Sequence, residues 1–126
     1  MKKRKLITVA IDSPAAAGAG TQSKLIAKHY NLFYLDTGKI YRYIGLLRLK
    51  LKGKLSNKII KKKINNLNIK TLSIKALLSD DVAVSAAEIA KRKHIRDIVH
   101  KFQQQCAYNP PKKFNGSVLD GRDITS

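Results

Sequence analysis

The sequence predicts an α/β fold, with a parallel sheet flanked by helices. Three short apolar runs, at residues 6–11 (LITVAI), 32–36 (LFYLD) and 117–120 (SVLD), are typical of buried strands, and helical patterns follow the first two. Strands that alternate with helices are the signature of a parallel sheet. The 126 residues, of which 44% are apolar, suffice for one modest domain with a hydrophobic core.

The first strand leads into a loop of small residues, SPAAAGAGT, and then into a helix that Thr21 would cap. Strand, small-residue loop and helix are the context of a phosphate site, since loop amides and a helix N-terminus attract anions. The loop departs from G-x-x-x-x-G-K-[ST] at Ser13 and at Ala19, which stands where lysine is usual. Lys24 lies ~7.5 Å further along the helix and does not replace that lysine. From the loop alone, a nucleotide site and a ligand-free turn both stay open.

The second strand is followed by a helix that Thr37 would cap, with one apolar face and a stop near Gly53. The predicted apolar face is formed by Ile40, Ile44, Leu47 and Leu51. Residues 54–75 are rich in lysine and asparagine and predict a poorly packed connector with one short helix.

A capping box at Ser85-Ala86-Ala87-Glu88 predicts the start of a long helix that YNPP ends. One side of that helix would carry apolar residues and the single cysteine. They are Ala87, Ile95, Ile98, Val99, Phe102 and Cys106.

The net charge of +18, from 26 basic and 8 acidic residues, favours polyanionic partners, although a lysine-biased composition with solvated side chains is the more common explanation of such a charge. Aromatic residues do not alternate with the lysines of residues 50–70, so stacking on single-stranded nucleic acid has little support.

A single cysteine fits a reducing compartment, and we expect a cytoplasmic protein. No apolar run is long enough for a membrane span, no secretory cleavage site follows the basic start, and the three histidines share no metal-ligand spacing.

Three blocks together make the sequence recognisable. They are VAIDSPAAAGAGTQSKLIAKHYNLFYLDTGKIYR, SAAEIAKRKHIRDIVHKFQQQCAYNPP and VLDGRDI. In this order and spacing they resemble the bacterial cytidylate kinases, a branch of the nucleoside monophosphate kinases, over about two thirds of the chain. The resemblance implies a P-loop nucleoside-monophosphate-kinase fold. It also implies that the γ-phosphoryl group of ATP is transferred to CMP or dCMP, and the choice between CMP, dCMP and UMP stays open.

The resemblance assigns two groups of site residues. The ATP phosphates would lie on Ser13, Pro14, Ala15, Ala16, Ala17, Gly18, Ala19, Gly20 and Thr21, with the Thr21 hydroxyl near Mg²⁺. The acceptor nucleotide would lie on Thr37, Tyr41, Arg42, Arg96, Asp120, Gly121, Arg122 and Asp123. Arg42, Arg96 and Arg122 would be the catalytic cations, because a planar guanidinium matches phosphate oxygens.

We expect three regions: the phosphate loop and core strands at 1–36, the acceptor-nucleotide region at 37–115, and a core strand with the Asp-Gly-Arg-Asp turn at 116–126. The arginine-bearing lid of the family has no match. We therefore expect an N-terminal fragment, incomplete at the C-terminus and poorly active alone. The expected partners are nucleotides, without membrane or specific nucleic acid, and the expected state is a monomer.

Two alternatives stay open: a degenerate, non-catalytic nucleotide-binding protein, which Ala19 favours, and a basic nucleic-acid-binding module, which the charge favours.

Overall fold

The computed structural model describes residues 6–12, 19–67, 71–72, 74–110 and 112–121. The elements in this part of the chain are β1 Ile7–Asp12, α1 Ala19–Tyr30, β2 Phe33–Asp36, α2 Thr37–Leu51, α3 Asn57–Asn65, a 3-10 helix Lys75–Leu78, α4 Asp80–Ala90, α5 Lys93–Tyr108 and β3 Gly116–Gly121. They form two compact units. The sheet unit contains the described residues up to Gly38 and from Gln103 onward, and the helical unit is Lys39–Phe102.

The sheet unit is built on three parallel strands in the order β1-β3-β2. Helix α1 supplies Ala27 to a small core with Leu32 and Val118, and Val9 and Ile11 of β1 are partly buried against it. The predicted strands agree with the observed ones to within about a residue at either end, and the predicted α/β class with a parallel sheet is confirmed. The carboxyl ends of β2 and β3 lie side by side, because Asp36 is in register with Asp120.

Helix α1 begins earlier than the sequence indicated. Ala19 and Gly20 already have helical backbone, so Thr21 lies inside the first turn, and the prediction that Thr21 caps the helix is wrong. The loop that precedes α1, residues 13–18, lies outside the described residues.

The core of the helical unit is formed by apolar residues that recur at helical spacing. On α2, Ile40, Ile44 and Leu47 are buried as predicted, and Lys52 and Gly53 end the helix with positive φ angles of 45° and 86°. The expectation of a poorly packed connector is wrong for α3. Its isoleucines at 60 and 64 are fully buried, because residues four apart share one face of a helix.

The predicted long helix from Ser85 is in fact two helices. Ser79 caps α4 by accepting from the N–H of Val82 at 3.2 Å, and two aspartates in the first turn suit the positive end of the helix. Ser85 lies in the middle of α4, where its buried hydroxyl donates to the carbonyl of Gly45 at 3.0 Å. The capping-box prediction is therefore wrong, because a stronger cap lies six residues upstream.

Helix α5 begins at Lys93 and ends at Tyr108, where the predicted stop is confirmed. Its buried residues in the helical unit are Ile95 and Val99, as predicted. Ala87 is exposed and lies on α4, so its assignment to the same apolar side is wrong. Among the described helices, none is long and apolar enough to cross a membrane.

Candidate functional site

The carboxyl edge of the sheet collects polar residues of the sheet unit. Asp120 is 6% exposed, and its Oδ2 accepts a hydrogen bond from the Tyr34 hydroxyl at 3.2 Å. Tyr34 and Asp36 share one face of β2, since side chains two apart in a strand point the same way. Ligands of proteins with parallel α/β sheets bind outside the carboxyl ends of the strands, so this edge is the candidate site.

The Tyr34 hydroxyl is held in its protonated form. Burial raises its pKa well above the ordinary value, and the carboxylates of Asp36 and Asp120 raise it further. Tyr34 therefore donates to Asp120 throughout the physiological pH range. The ammonium of Lys24, on α1, lies 5.9 Å from the centre of the Tyr34 ring, which is within cation–π range.

Thr37, the first residue of α2, lies immediately after the end of β2. Its side chain is 2% exposed, and its Oγ1 accepts a hydrogen bond from Nε2 of Gln103 at 2.7 Å. Gln103 is itself 5% exposed. A hydroxyl predicted to contact the acceptor nucleotide is thus fixed by a buried amide that lies 66 residues away in the sequence.

Arg42 belongs to the helical unit, in the second turn of α2. Its Nη1 donates to the carbonyl of Leu77 at 2.9 Å, and Leu77 is a buried residue of the 3-10 helix. A guanidinium has five N–H donors, so this bond anchors the side chain while it uses only one of them. Tyr41, the preceding residue, is half-buried.

Arg96, also in the helical unit, is exposed on the first turn of α5. Its Nη1 donates to the carbonyls of Ala90 and Lys91, at 3.2 and 2.8 Å. These are among the last carbonyls of α4 and its C-cap, which a cationic donor stabilises. Arg96 therefore satisfies carbonyl groups at the C-terminal end of α4.

The remaining predicted site residues are described in part or not at all. Only the backbone is described at Ala19, Gly20, Thr21 and Gly121, and Ser13, Pro14, Ala15, Ala16, Ala17, Gly18, Arg122 and Asp123 lie outside the described residues. Of the predicted acceptor residues with described side chains, Thr37 and Asp120 lie in the sheet unit, and Tyr41, Arg42 and Arg96 lie in the helical unit.

Tyr34 and Gln103 are the residues that the sequence analysis missed. Tyr34 was detectable from its place two residues before Asp36 in β2. Gln103 continues the spacing of Ile95 and Val99 along α5, and a polar residue on a buried stripe signals a buried hydrogen bond.

Two further features bear on chemistry. Among the described residues there is no group of three or more histidine, cysteine, aspartate or glutamate side chains that could hold a metal ion. Burial raises the pKa of the Cys106 thiol to about 11, which favours the protonated form over the nucleophilic thiolate at neutral pH. It is half-buried, and its carbonyl accepts from the Ser117 hydroxyl at 2.8 Å.

The helical unit also contains a cleft of about 710 Å³. An ion pair of 3.3 Å between Arg48 and Glu88 lies on its wall, and apolar residues such as Leu49 and Ile89 complete the lining. None of the predicted site residues lines this cleft.

Comparison with known proteins gives one consistent result. The family model for cytidylate kinase matches residues 9–126. The chain is 40% identical over 117 residues to a cytidylate kinase of Rhodopseudomonas palustris (strain BisA53), which covers 92% of this chain and 54% of the relative. It is 38% identical over 117 residues to one of Bradyrhizobium sp. (strain ORS 278), covering 92% and 53%. It is 40% identical over 121 residues to one of Bartonella quintana (strain Toulouse), covering 95% and 54%. The chain thus spans about half the length of these relatives.

Proposed function

This chain belongs to the cytidylate kinase family, and on that premise we propose that the protein transfers the γ-phosphoryl group of ATP to CMP or dCMP. The observation that supports the proposal most is the position of Thr37 and Asp120. Both lie at the carboxyl edge of a parallel sheet, where nucleotide sites of α/β proteins are built. Both are also buried and hydrogen-bonded, so their orientation is set before any ligand arrives.

We place the ATP phosphates at residues 13–21. The first residues of α1 offer backbone N–H groups that have no partner within the helix, and the helix dipole adds positive charge there. These features need no lysine side chain. Because Ala19 removes one preorganised cation, we expect turnover slower by about 10²- to 10³-fold than with lysine. Thr21, in the first turn of α1, is the residue that would hold Mg²⁺, which neutralises phosphate charge when it is bound.

On the acceptor side, the protein has to hold a phosphate against repulsion from ATP. Guanidinium groups do this with paired N–H donors, and we assign the task to Arg42, Arg96 and Arg122, with Asp123 beside the nucleoside. The attacking atom is already an anionic oxygen at neutral pH, so a strong general base is unnecessary. Catalysis would consist of alignment and neutralisation of charge.

The test is ADP formation by the full-length protein with Mg²⁺-ATP and CMP, dCMP or UMP. We expect turnover that depends on a cytidine monophosphate, and loss of most of it in Arg42→Met. Arg42→Lys should recover little, because an ammonium cannot make a paired contact. Ala19→Lys should raise the rate. If CMP and ATP bind while no substrate gives ADP above background, the protein is the non-catalytic nucleotide binder that Ala19 favours.

We further propose that the protein acts as a cytoplasmic monomer on small nucleotides. Its single cysteine supports the reducing compartment. Light scattering coupled to gel filtration measures the monomer directly, and a dimeric mass would contradict it.

A further inference from the structure

Gln103 is a buried polar residue at a position where an apolar one would fit. It lies four residues after Val99 and eight after Ile95, which are 1% and 2% exposed. A buried amide without a partner costs free energy, and Nε2 of Gln103 avoids that cost by donating to Thr37. The next residues, Gln104 and Gln105, are exposed, so burial is particular to the first of the three glutamines.

The direction of this hydrogen bond matters for chemistry. A threonine hydroxyl can accept two hydrogen bonds and donate one. Because Gln103 is the donor, it occupies an acceptor position on Oγ1 of Thr37 and does not use the hydroxyl hydrogen. The contact therefore fixes the oxygen and leaves the hydrogen able to donate to a ligand.

We propose that Gln103 is a positioning residue that holds the Thr37 hydroxyl as a hydrogen-bond donor to the acceptor nucleotide. The inference rests on the proposed function, since it takes the monophosphate nucleotide as the ligand of Thr37. Gln103 acts only through Thr37. Its loss therefore weakens binding of CMP and leaves binding of ATP and the rate of the saturated enzyme unchanged.

The experiment measures CMP and ATP affinity of the full-length protein by calorimetry, together with KM and kcat. Gln103→Met keeps the length and volume of the side chain and removes the donor. We expect CMP affinity and KM to worsen about fivefold, the effect of one hydrogen bond, with ATP affinity unchanged. At a pH high enough to ionise the buried carboxyl group, Gln103→Glu should be worse than Gln103→Met, because an ionised carboxylate only accepts and takes the hydroxyl hydrogen of Thr37. Gln104→Met is the matched control on an exposed neighbour and should not differ from the wild type.

A double-mutant cycle separates positioning from a purely structural role. In the Thr37→Val background, Gln103→Met should cause no further loss of CMP affinity, although the apolar pair should regain stability relative to either single variant. Equal CMP affinity in Gln103→Met and Gln104→Met, or an additive loss in the double variant, overturns the inference and leaves the proposed function standing. If Gln103→Met does not fold, CMP affinity of Gln103→Glu equal to that of the wild type, at a pH where the carboxyl group is ionised, also overturns it. If the wild type binds no CMP, the proposed function itself fails.

Discussion

Replacing Gly45 by alanine tests a close approach between α2 and α4 in the helical unit. A Cβ at this buried position of α2 would lie 2.8 Å from the backbone nitrogen of Ala86 and 3.2 Å from the carbonyl oxygen of Val82. Both atoms belong to the backbone of α4, so no side chain can rotate away to make room. The added methyl group has to push α2 and α4 apart.

The size of the effect follows from three terms. Alanine is favoured over glycine in a helix by about 1 kcal/mol, which opposes the loss. Overpacking against backbone costs about 1–3 kcal/mol. Separating the helices also stretches the 3.0 Å hydrogen bond from Ser85 to the Gly45 carbonyl, worth about 1 kcal/mol. We expect Gly45→Ala to lower the free energy of unfolding by about 1–3 kcal/mol.

The assay is urea unfolding followed by circular dichroism, with Gly38→Ala as the control. Gly38 is exposed on the same helix, and among the described residues a Cβ there would lie within 4 Å only of the Asp36 carboxylate, at 3.3 Å. The control should leave stability unchanged or raise it by up to about 1 kcal/mol, because alanine is favoured over glycine in a helix. If Gly45→Ala is as stable as the wild type, the close packing of α2 on α4 is refuted.

Three further predictions each concern the environment of a single side chain. Tyr34→Phe removes a donor from the buried carboxylate of Asp120, and should lower the unfolding free energy by about 1–3 kcal/mol in the same assay; an unchanged midpoint would contradict the hydrogen bond. Ser79→Ala removes the cap of α4 and should lower the unfolding free energy by about 1 kcal/mol. Loss of helix signal by circular dichroism in Ser85→Ala and not in Ser79→Ala would show instead that Ser85 is the cap. The folded protein holds the proton of Cys106 more tightly than the unfolded chain. This contribution to stability is complete below the ordinary thiol pKa of 9.0 and is lost as the pH rises through about 11. The rate of alkylation of Cys106 by iodoacetamide should increase as the pH rises through about 11. A fast reaction at pH 7 would show that burial does not raise the pKa of the thiol.

The strands were predictable because their signals are local. Each is a short apolar run bounded by a carboxylate, a glycine or a change of pattern, and each was placed to within about a residue. The break between α4 and α5 was not predictable in this way. No proline or glycine marks residues 91–92, and the capping box at Ser85 is a good local pattern. Ser79, with two aspartates directly after it, forms the true cap and turns Ser85 inward.

The candidate site was also predictable only in part, because its hydrogen bonds join residues that are far apart in the sequence. Thr37 and Asp120 stand in recognisable motifs, so the sequence identified them. Their partners, Gln103 and Tyr34, are 66 and 86 residues away, and only the fold brings them together. The bond from Arg42 to the Leu77 carbonyl has the same origin, because an arginine in a helix gives no sign of which carbonyl it meets.

The most direct test of the central claim is an NMR titration of the isotopically labelled protein with CMP. The account predicts saturable shifts at the amides of Thr37 and Asp120 and at the side-chain amide of Gln103, with weaker effects from AMP at the same concentrations. Shifts absent from these three groups, or confined to the cleft beside Arg48 and Glu88, would contradict a cytidine nucleotide site at the carboxyl edge of the sheet.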